Sequence, residues 1–172
     1  SRRPKSRSST EAMEHTDQGP VETPSSSTMR AFAYRLLGRR EYSVFELRQR
    51  LLQKWRGAGD IDTLADELLE ALEEENLLSD ERFVESFVRS RINRQQGPLK
   101  IKAALGQKGV SDSLVSKELE AHSGEWTDLA AEWLVRNHTG PIDFDMKKKL
   151  YRRLANRGFT HSQAMDAIGR RQ

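Results

Sequence analysis

One eleven-residue pattern occurs twice in this chain, and the repetition restricts the fold more than any other feature. The segment IKAALGQKGVS occupies residues 101–111, and LYRRLANRGFT occupies residues 150–160. Each carries an apolar residue, a leucine four positions later, a basic residue, a glycine, an apolar residue and a hydroxyl residue. Apolar residues four apart lie on one side of a helix, and a glycine suits the left-handed position that ends a helix. Because the hydroxyl residue can then cap the next helix, the pattern predicts a helix, a tight stop and a second helix.

A shorter third copy lies upstream and sets the number of units. The segment LRQRLLQKW, residues 47–55, keeps the apolar, leucine and basic positions but has Trp55 in place of the glycine. The anchor leucines Leu51, Leu105 and Leu154 are 54 and 49 residues apart, and residues 29–172 divide into units that average 48 residues. Each copy has a further helical pattern before and after it. We therefore predict three three-helix repeats, at residues 29–78, 79–122 and 123–172.

The helix starts and the absence of strand patterns predict an all-α fold. Ser43 with Glu46 and Thr160 with Gln163 have the spacing of a capping box, and Pro98 suits a first helical position. No segment alternates β-branched and polar residues as a strand does. Because a unit of this size holds little core by itself, stacking of the units favours an elongated, curved array. A single compact helical domain of duplicated origin is the alternative.

Residues 1–28 are predicted to be a disordered tail that precedes the repeats. They carry four basic and four acidic residues and three prolines, without apolar periodicity. Such a composition does not supply enough apolar surface for a packed core.

The composition excludes several classes of chemistry. The chain is 35% hydrophobic and 32% charged and has no cysteine, which excludes disulfides, thiol catalysis and cysteine-bound zinc. The four histidines are scattered without a metal-binding spacing, so we expect no catalytic residue, no metal and no cofactor. Without a secretory signal or a membrane-length apolar run, a cytoplasmic protein is expected.

Charge is distributed unevenly along the chain. Residues 60–81 carry ten acidic and no basic residues, whereas residues 146–157 carry six basic and no acidic residues. The acidic run could hold metal ions in a nuclease, but its leucines form a buried stripe, which favours a solvated helix face.

Basic residues recur in all three units, and a stack of repeats would align them. A line of cations suits a phosphate backbone. The candidates for such contacts are Arg39, Arg40, Arg48, Arg89, Arg91, Lys100, Lys102, Lys147, Lys148, Arg152 and Arg153.

Several of these segments together resemble the bacterial RecX family of regulators of the RecA recombinase. The resemblance covers about residues 31–168 and is carried by RREYSVFELRQRL (39–51), NLLSDERFVESFVRSR (76–91), GPLKIKAALGQKGV (97–110) and LANRGF (154–159). The chain departs from the family at Ser79, where an aspartate is usual, at Gln95, where a glycine is frequent, and at Ala104, where a glutamate is usual.

The resemblance implies a regulator without enzymatic activity. Family members bind the RecA filament on single-stranded DNA, lie in its helical groove and inhibit strand exchange and ATP hydrolysis. It thus implies the RecA filament as the main partner, single-stranded and double-stranded DNA as weaker partners, no membrane, and a monomer. The alternative function is a DNA-binding protein without sequence specificity that acts through its basic residues and needs no protein partner.

Overall fold

The computed structural model describes residues 19–172, and α-helix is the only regular secondary structure in this range. Its nine helices confirm the all-α prediction; they are α1 (Ser26–Leu37), α2 (Val44–Lys54), α3 (Ile61–Glu74), α4 (Asp80–Asn93), α5 (Pro98–Gly106), α6 (Asp112–Ala121), α7 (Trp126–Asn137), α8 (Phe144–Asn156) and α9 (His161–Gly169). None of these helices has both the length and the apolar character needed to span a bilayer.

Side-chain caps begin most helices, as the sequence predicts. Ser43 and Thr160 each form a complete capping box, and Pro98 lies in the first turn of α5. The hydroxyls of Ser79 and Ser111 accept hydrogen bonds from backbone N–H groups three residues later. These bonds satisfy donors that would otherwise have no partner at a helix start.

The first helix begins inside the segment predicted to be a disordered tail, residues 1–28. It begins at Ser26, because Ser25 accepts a hydrogen bond from the Thr28 N–H at 3.1 Å. It ends at Leu37, so that Arg39 lies in the turn that follows. The last three residues of the predicted tail, 26–28, therefore belong to α1. Residues 1–18 of the tail lie outside the described range.

The helices pack in consecutive triplets, which we call the first bundle (α1–α3), the second bundle (α4–α6) and the third bundle (α7–α9). The first bundle has its own hydrophobic cluster around Leu47, Leu51 and Leu72. A second cluster runs without interruption from the second bundle into the third, through residues such as Leu105 and Leu154.

The bundles form a row with the second bundle in the middle. Hydrogen bonds join the first bundle to the second and the second to the third, and none joins the first to the third within residues 19–172. The molecule is therefore elongated, and its curvature stays a prediction.

The repeated basic residue and glycine form the contact between the first and second bundles. The Ser43 hydroxyl donates a hydrogen bond of 2.8 Å to the Lys108 carbonyl, and the Lys108 ammonium lies 2.7 Å from Glu46 Oε1. Gly109 has a φ of 68°, and a methyl group added there would lie 2.5 Å from Phe45 Cβ. The left-handed glycine thus completes the turn that follows α5 and allows the first bundle to approach closely.

The second and third bundles meet at an equivalent contact. The Gly97 N–H donates to the Arg157 carbonyl at 2.7 Å, and the Leu99 N–H donates to the Gly158 carbonyl at 2.9 Å. The Arg157 side chain also donates, through Nε, to the Gln95 carbonyl at 2.9 Å. Gly158 has a φ of 93°, which is left-handed like that of Gly109.

These two contacts share one geometry, which we call the basic–glycine joint. In each, the basic residue and glycine in the turn after the middle helix of one bundle meet the N-cap of the preceding bundle's middle helix, Ser43 or Gly97. The first copy of the pattern has Trp55 instead, and Trp55 packs edge-to-face against Phe32 of its own bundle, with ring centroids 5.3 Å apart. The repeated pattern therefore specifies both a helix stop and the stacking of one bundle on the previous one.

We expect Gly97→Ala to destabilise the protein through the second joint. The φ of Gly97 is −84°, which alanine adopts readily, but the added methyl group would lie 2.3 Å from the Gly158 carbonyl carbon. Overpacking of this kind should lower the free energy of unfolding by about 2 kcal/mol, measured by urea denaturation with circular dichroism. Gly106→Ala is the control, because a methyl group on Gly106 meets no atom within 4 Å. Equal stability of the Gly97→Ala variant and the wild type would contradict the proposed tightness of this joint.

Candidate functional site

The first bundle neutralises two of its three candidate arginines internally. Arg48 lies between two carboxylates of α3, 3.0 Å from Asp62 and 2.7 Å from Asp66. Arg40 pairs with Glu46 at 3.1 Å and stacks on the ring of Tyr42. Cations bound in this way have less charge available for an external phosphate.

The acidic run forms an exposed helix face on α3, as the sequence predicts. Leu68, Leu69 and Leu72 are buried, whereas the carboxylates on the other side of the helix are exposed. Burial raises the pKa of Glu73, and the neighbouring charges of Asp80 and Glu70 raise it further. No group of three residues suited to a metal ion occurs in the described part of the chain.

The second bundle exposes its candidate cations without acidic partners. Arg89, Lys100 and Lys102 are exposed, and none lies within ion-pair distance of a described carboxylate. Arg91 lies over the Phe87 ring at 4.5 Å and donates to Gln96 Oε1 at 3.4 Å.

Helix α8 has the highest concentration of cations. Its buried side is formed by Leu150 and Leu154, and cations occupy most of the remaining surface. Lys148 and Arg152 are exposed, Arg153 lies 4.7 Å from the Trp133 ring, and Lys147 is half-buried.

The second joint adds a cation of the second bundle to those of α8. A methyl group added at Gly158 would lie 2.3 Å from Lys100 Cβ, so Lys100 is adjacent to the C-terminal end of α8. No described acidic side chain forms an ion pair with these cations. The basic face defined in this way contains Lys100, Lys147, Lys148, Arg152 and Arg153.

Three features of the structure are not predicted from the sequence. The side chains of Lys108 and Arg157 form hydrogen bonds across the two joints, whereas their positions in the sequence indicate only a favourable interaction with a helix dipole. Phe144 is 72% exposed in the first turn of α8, and nothing in its local sequence distinguishes it from a buried residue. Gln95 has a φ of 55°, which accounts for the frequent glycine at this position in the family that the chain resembles.

Glu46 is the main charged group of the first joint. Its side chain is only 14% exposed and contacts both Arg40 and Lys108. Burial opposes ionisation of this carboxyl, but the hydrogen bonds from Lys108 and Arg40 outweigh it and lower the pKa of Glu46 below its ordinary value of 4.5.

Comparison with known proteins agrees with the resemblance found in the sequence. The chain is 43% identical over 143 residues to the regulatory protein RecX of Chromohalobacter salexigens, a match that covers 83% of this chain and 91% of that protein. The chain belongs to the RecX family. RecX of Halorhodospira halophila is 38% identical over 144 residues, covering 83% of this chain and 87% of that protein.

Further similarities support the RecX fold. Residues 79–119 match the family description "RecX, second three-helix domain". The crystal structure of RecX from Lactobacillus salivarius superposes with a TM-score of 0.70 and 21% identity, covering 84% of this chain and 95% of that one. The three-bundle arrangement described above is thus a RecX fold.

We expect the Glu46→Gln variant of this RecX chain to lose stability in a pH-dependent way. Because the folded-state pKa of Glu46 is lowered, its ionised form stabilises the protein above pH 4.5, and this stabilisation is lost as the pH falls through the lower folded value. The variant should be about 1–2 kcal/mol less stable at pH 7, and the difference should shrink below pH 4. Urea denaturation at a series of pH values measures both.

Glu75→Gln serves as the control, because Glu75 forms a more exposed ion pair with Arg30 at 2.8 Å, and loss of an exposed pair should change stability much less. A pH-independent difference for Glu46→Gln would show that the carboxylate charge does not stabilise the joint.

Proposed function

We propose that this protein binds the RecA filament on single-stranded DNA and inhibits the recombinase and ATPase activities of RecA, thereby modulating recombination, DNA repair and the SOS response. The observation that carries the proposal is the basic face, whose cations have no described acidic partner and belong to two bundles that share one core. The relatives are named as regulatory proteins RecX, and that name supports RecA as the partner.

The arrangement of the bundles suits an extended target. A row of three bundles can follow a polymer over a greater length than a compact domain of the same size. Its densest run of cations lies on α8 of the third bundle, and its densest run of carboxylates lies on α3 of the first bundle. The two ends of the row therefore offer opposite charges to different surfaces of a protein–DNA filament.

Inhibition through binding requires no catalytic group in this chain. We propose a regulator that acts by occupying the filament, either along its groove or at its end, in the cytoplasm and as a monomer. All eleven candidate cations, from Arg39 to Arg153, remain candidates for this contact. The basic face is a stronger candidate than the first bundle, because Arg40 and Arg48 of the first bundle form internal ion pairs.

Binding to bare DNA without a protein partner is the second candidate, because unpaired cations attract any phosphate backbone. Such binding should weaken steeply as the salt concentration rises. Retention on DNA at moderate salt only when RecA is present would favour the filament regulator.

We expect Lys148→Glu combined with Arg152→Glu to weaken inhibition of RecA. Both side chains are exposed on α8, so reversal of their charges should repel phosphates or acidic protein surfaces without disturbing the core. The concentration needed for half-maximal inhibition of ATP hydrolysis, measured with RecA assembled on single-stranded DNA, should rise about tenfold or more.

The matched control is Arg56→Glu combined with Arg136→Glu, which changes the net charge equally at two exposed positions outside the candidate set. Circular dichroism should show the same helix content in both variants. Equal inhibition by the wild type and the Lys148/Arg152 variant would remove the basic face from the mechanism.

A further inference from the structure

A groove between α8 and α9 in the third bundle combines an apolar floor with a cationic rim. Its volume is about 530 Å³, within the range of small-ligand sites. Tyr151, His161 and Met165 form the floor. The cations Lys147, Lys148 and Arg152 form the rim together with the exposed ring of Phe144.

Phe144 and two of the cations form a single ridge on α8. Phe144, Lys148 and Arg152 are four residues apart, so they lie on the same side of the helix and extend over about 12 Å. The Lys148 ammonium lies 4.3 Å from the Phe144 ring centroid, which leaves the other face of the ring open to a ligand. A planar aromatic ligand with negative charges at its side matches this ridge in both shape and charge.

The floor of the groove is held in place by a contact between the two helices. The Tyr151 hydroxyl lies 3.0 Å from His161 Nδ1, and the two rings meet edge-to-face with centroids 5.4 Å apart. The hydroxyl and the imidazole offer hydrogen-bonding groups next to the apolar surface. Because the hydroxyl and Nδ1 already contact each other, His161 Nε2 is the imidazole nitrogen left for a ligand, and the edge of a nucleobase carries donors and acceptors complementary to it.

Acidic groups near the ridge do not neutralise the rim. Asp143 caps α8 by accepting a hydrogen bond from the Met146 N–H at 2.8 Å. Asp145 and Asp166 are exposed and form no ion pair with the rim cations among the described residues. The rim is therefore able to contact phosphates.

We propose that this groove binds unpaired bases of single-stranded nucleic acid, with Phe144 as a stacking platform and Lys147, Lys148 and Arg152 on the adjacent phosphates. Proteins that bind single strands use this combination of aromatic rings and a basic groove. A duplex keeps its bases stacked on each other and offers this ridge only phosphates. The inference deepens the proposed function, on which it rests for the use of the basic face, and it names the chemical group that the third bundle contacts.

The test separates base stacking from phosphate attraction. Fluorescence anisotropy of the full chain is measured with a labelled oligothymidine and with an abasic oligonucleotide of the same length and charge. The wild type should bind oligothymidine about tenfold more tightly than the abasic strand. Phe144→Ala should abolish this preference without changing affinity for the abasic strand, and Phe144→Trp should keep it.

Val135→Ala is the matched control, because Val135 is a 64% exposed apolar residue of α7 and lies outside the groove; its preference should equal that of the wild type. Equal wild-type affinity for the two strands, or an unchanged preference in Phe144→Ala, would overturn the inference. If Phe144→Ala instead loses binding of a labelled glutamate-rich amphipathic peptide and keeps its binding of oligothymidine, the groove belongs to a protein partner.

Parallel measurement of RecA ATP hydrolysis separates this inference from the proposed function. Inhibition of RecA by a wild-type protein that has no base preference would overturn the groove assignment alone. A base preference without any effect on RecA would support the groove assignment and contradict the filament regulator.

Discussion

The basic–glycine joint is the contact on which the row of bundles depends. In each of its two occurrences a left-handed glycine, Gly109 or Gly158, lets the end of one middle helix approach the start of the previous one. The basic residue before the glycine then forms hydrogen bonds across the joint. Because the same contact is used twice, each bundle is placed on its predecessor in a similar orientation, as expected for a repeat array.

The two joints differ in their chemistry, and this difference divides the molecule. The second joint combines backbone hydrogen bonds with a hydrophobic cluster that continues from the second bundle into the third. The first joint joins two separate clusters, through polar contacts of Ser43, Glu46 and Asp80. The second and third bundles therefore form one body, which carries the basic face, and the first bundle is attached to it by contacts that respond to charge.

Local features of the fold could be predicted from the sequence, whereas long-range pairing could not. Capping boxes and helix stops depend on neighbouring residues, so the sequence correctly predicts the roles of Ser43 and Gly158, whereas the predicted boundary between the tail and α1 lies too far along the chain. The pairing of Arg48 with Asp62 and Asp66 joins two helices, and the bond from Arg157 to Gln95 joins two bundles. Charge counts along the chain do not reveal such partners, and the exposure of Phe144 likewise depends on how α8 packs against α9.

Lysine footprinting on the filament tests the central claim most directly. The protein would be treated with an amine-acetylating reagent in three states: alone, with bare single-stranded DNA, and with the assembled RecA filament. The modified lysines would then be quantified by mass spectrometry. The proposed function predicts that Lys100, Lys147 and Lys148 become protected on the filament, whereas Lys54 and Lys117, which are exposed elsewhere, react as in the free protein. Protection of Lys54 and Lys117 with undiminished reaction of the α8 lysines would contradict the assignment of the basic face to the filament.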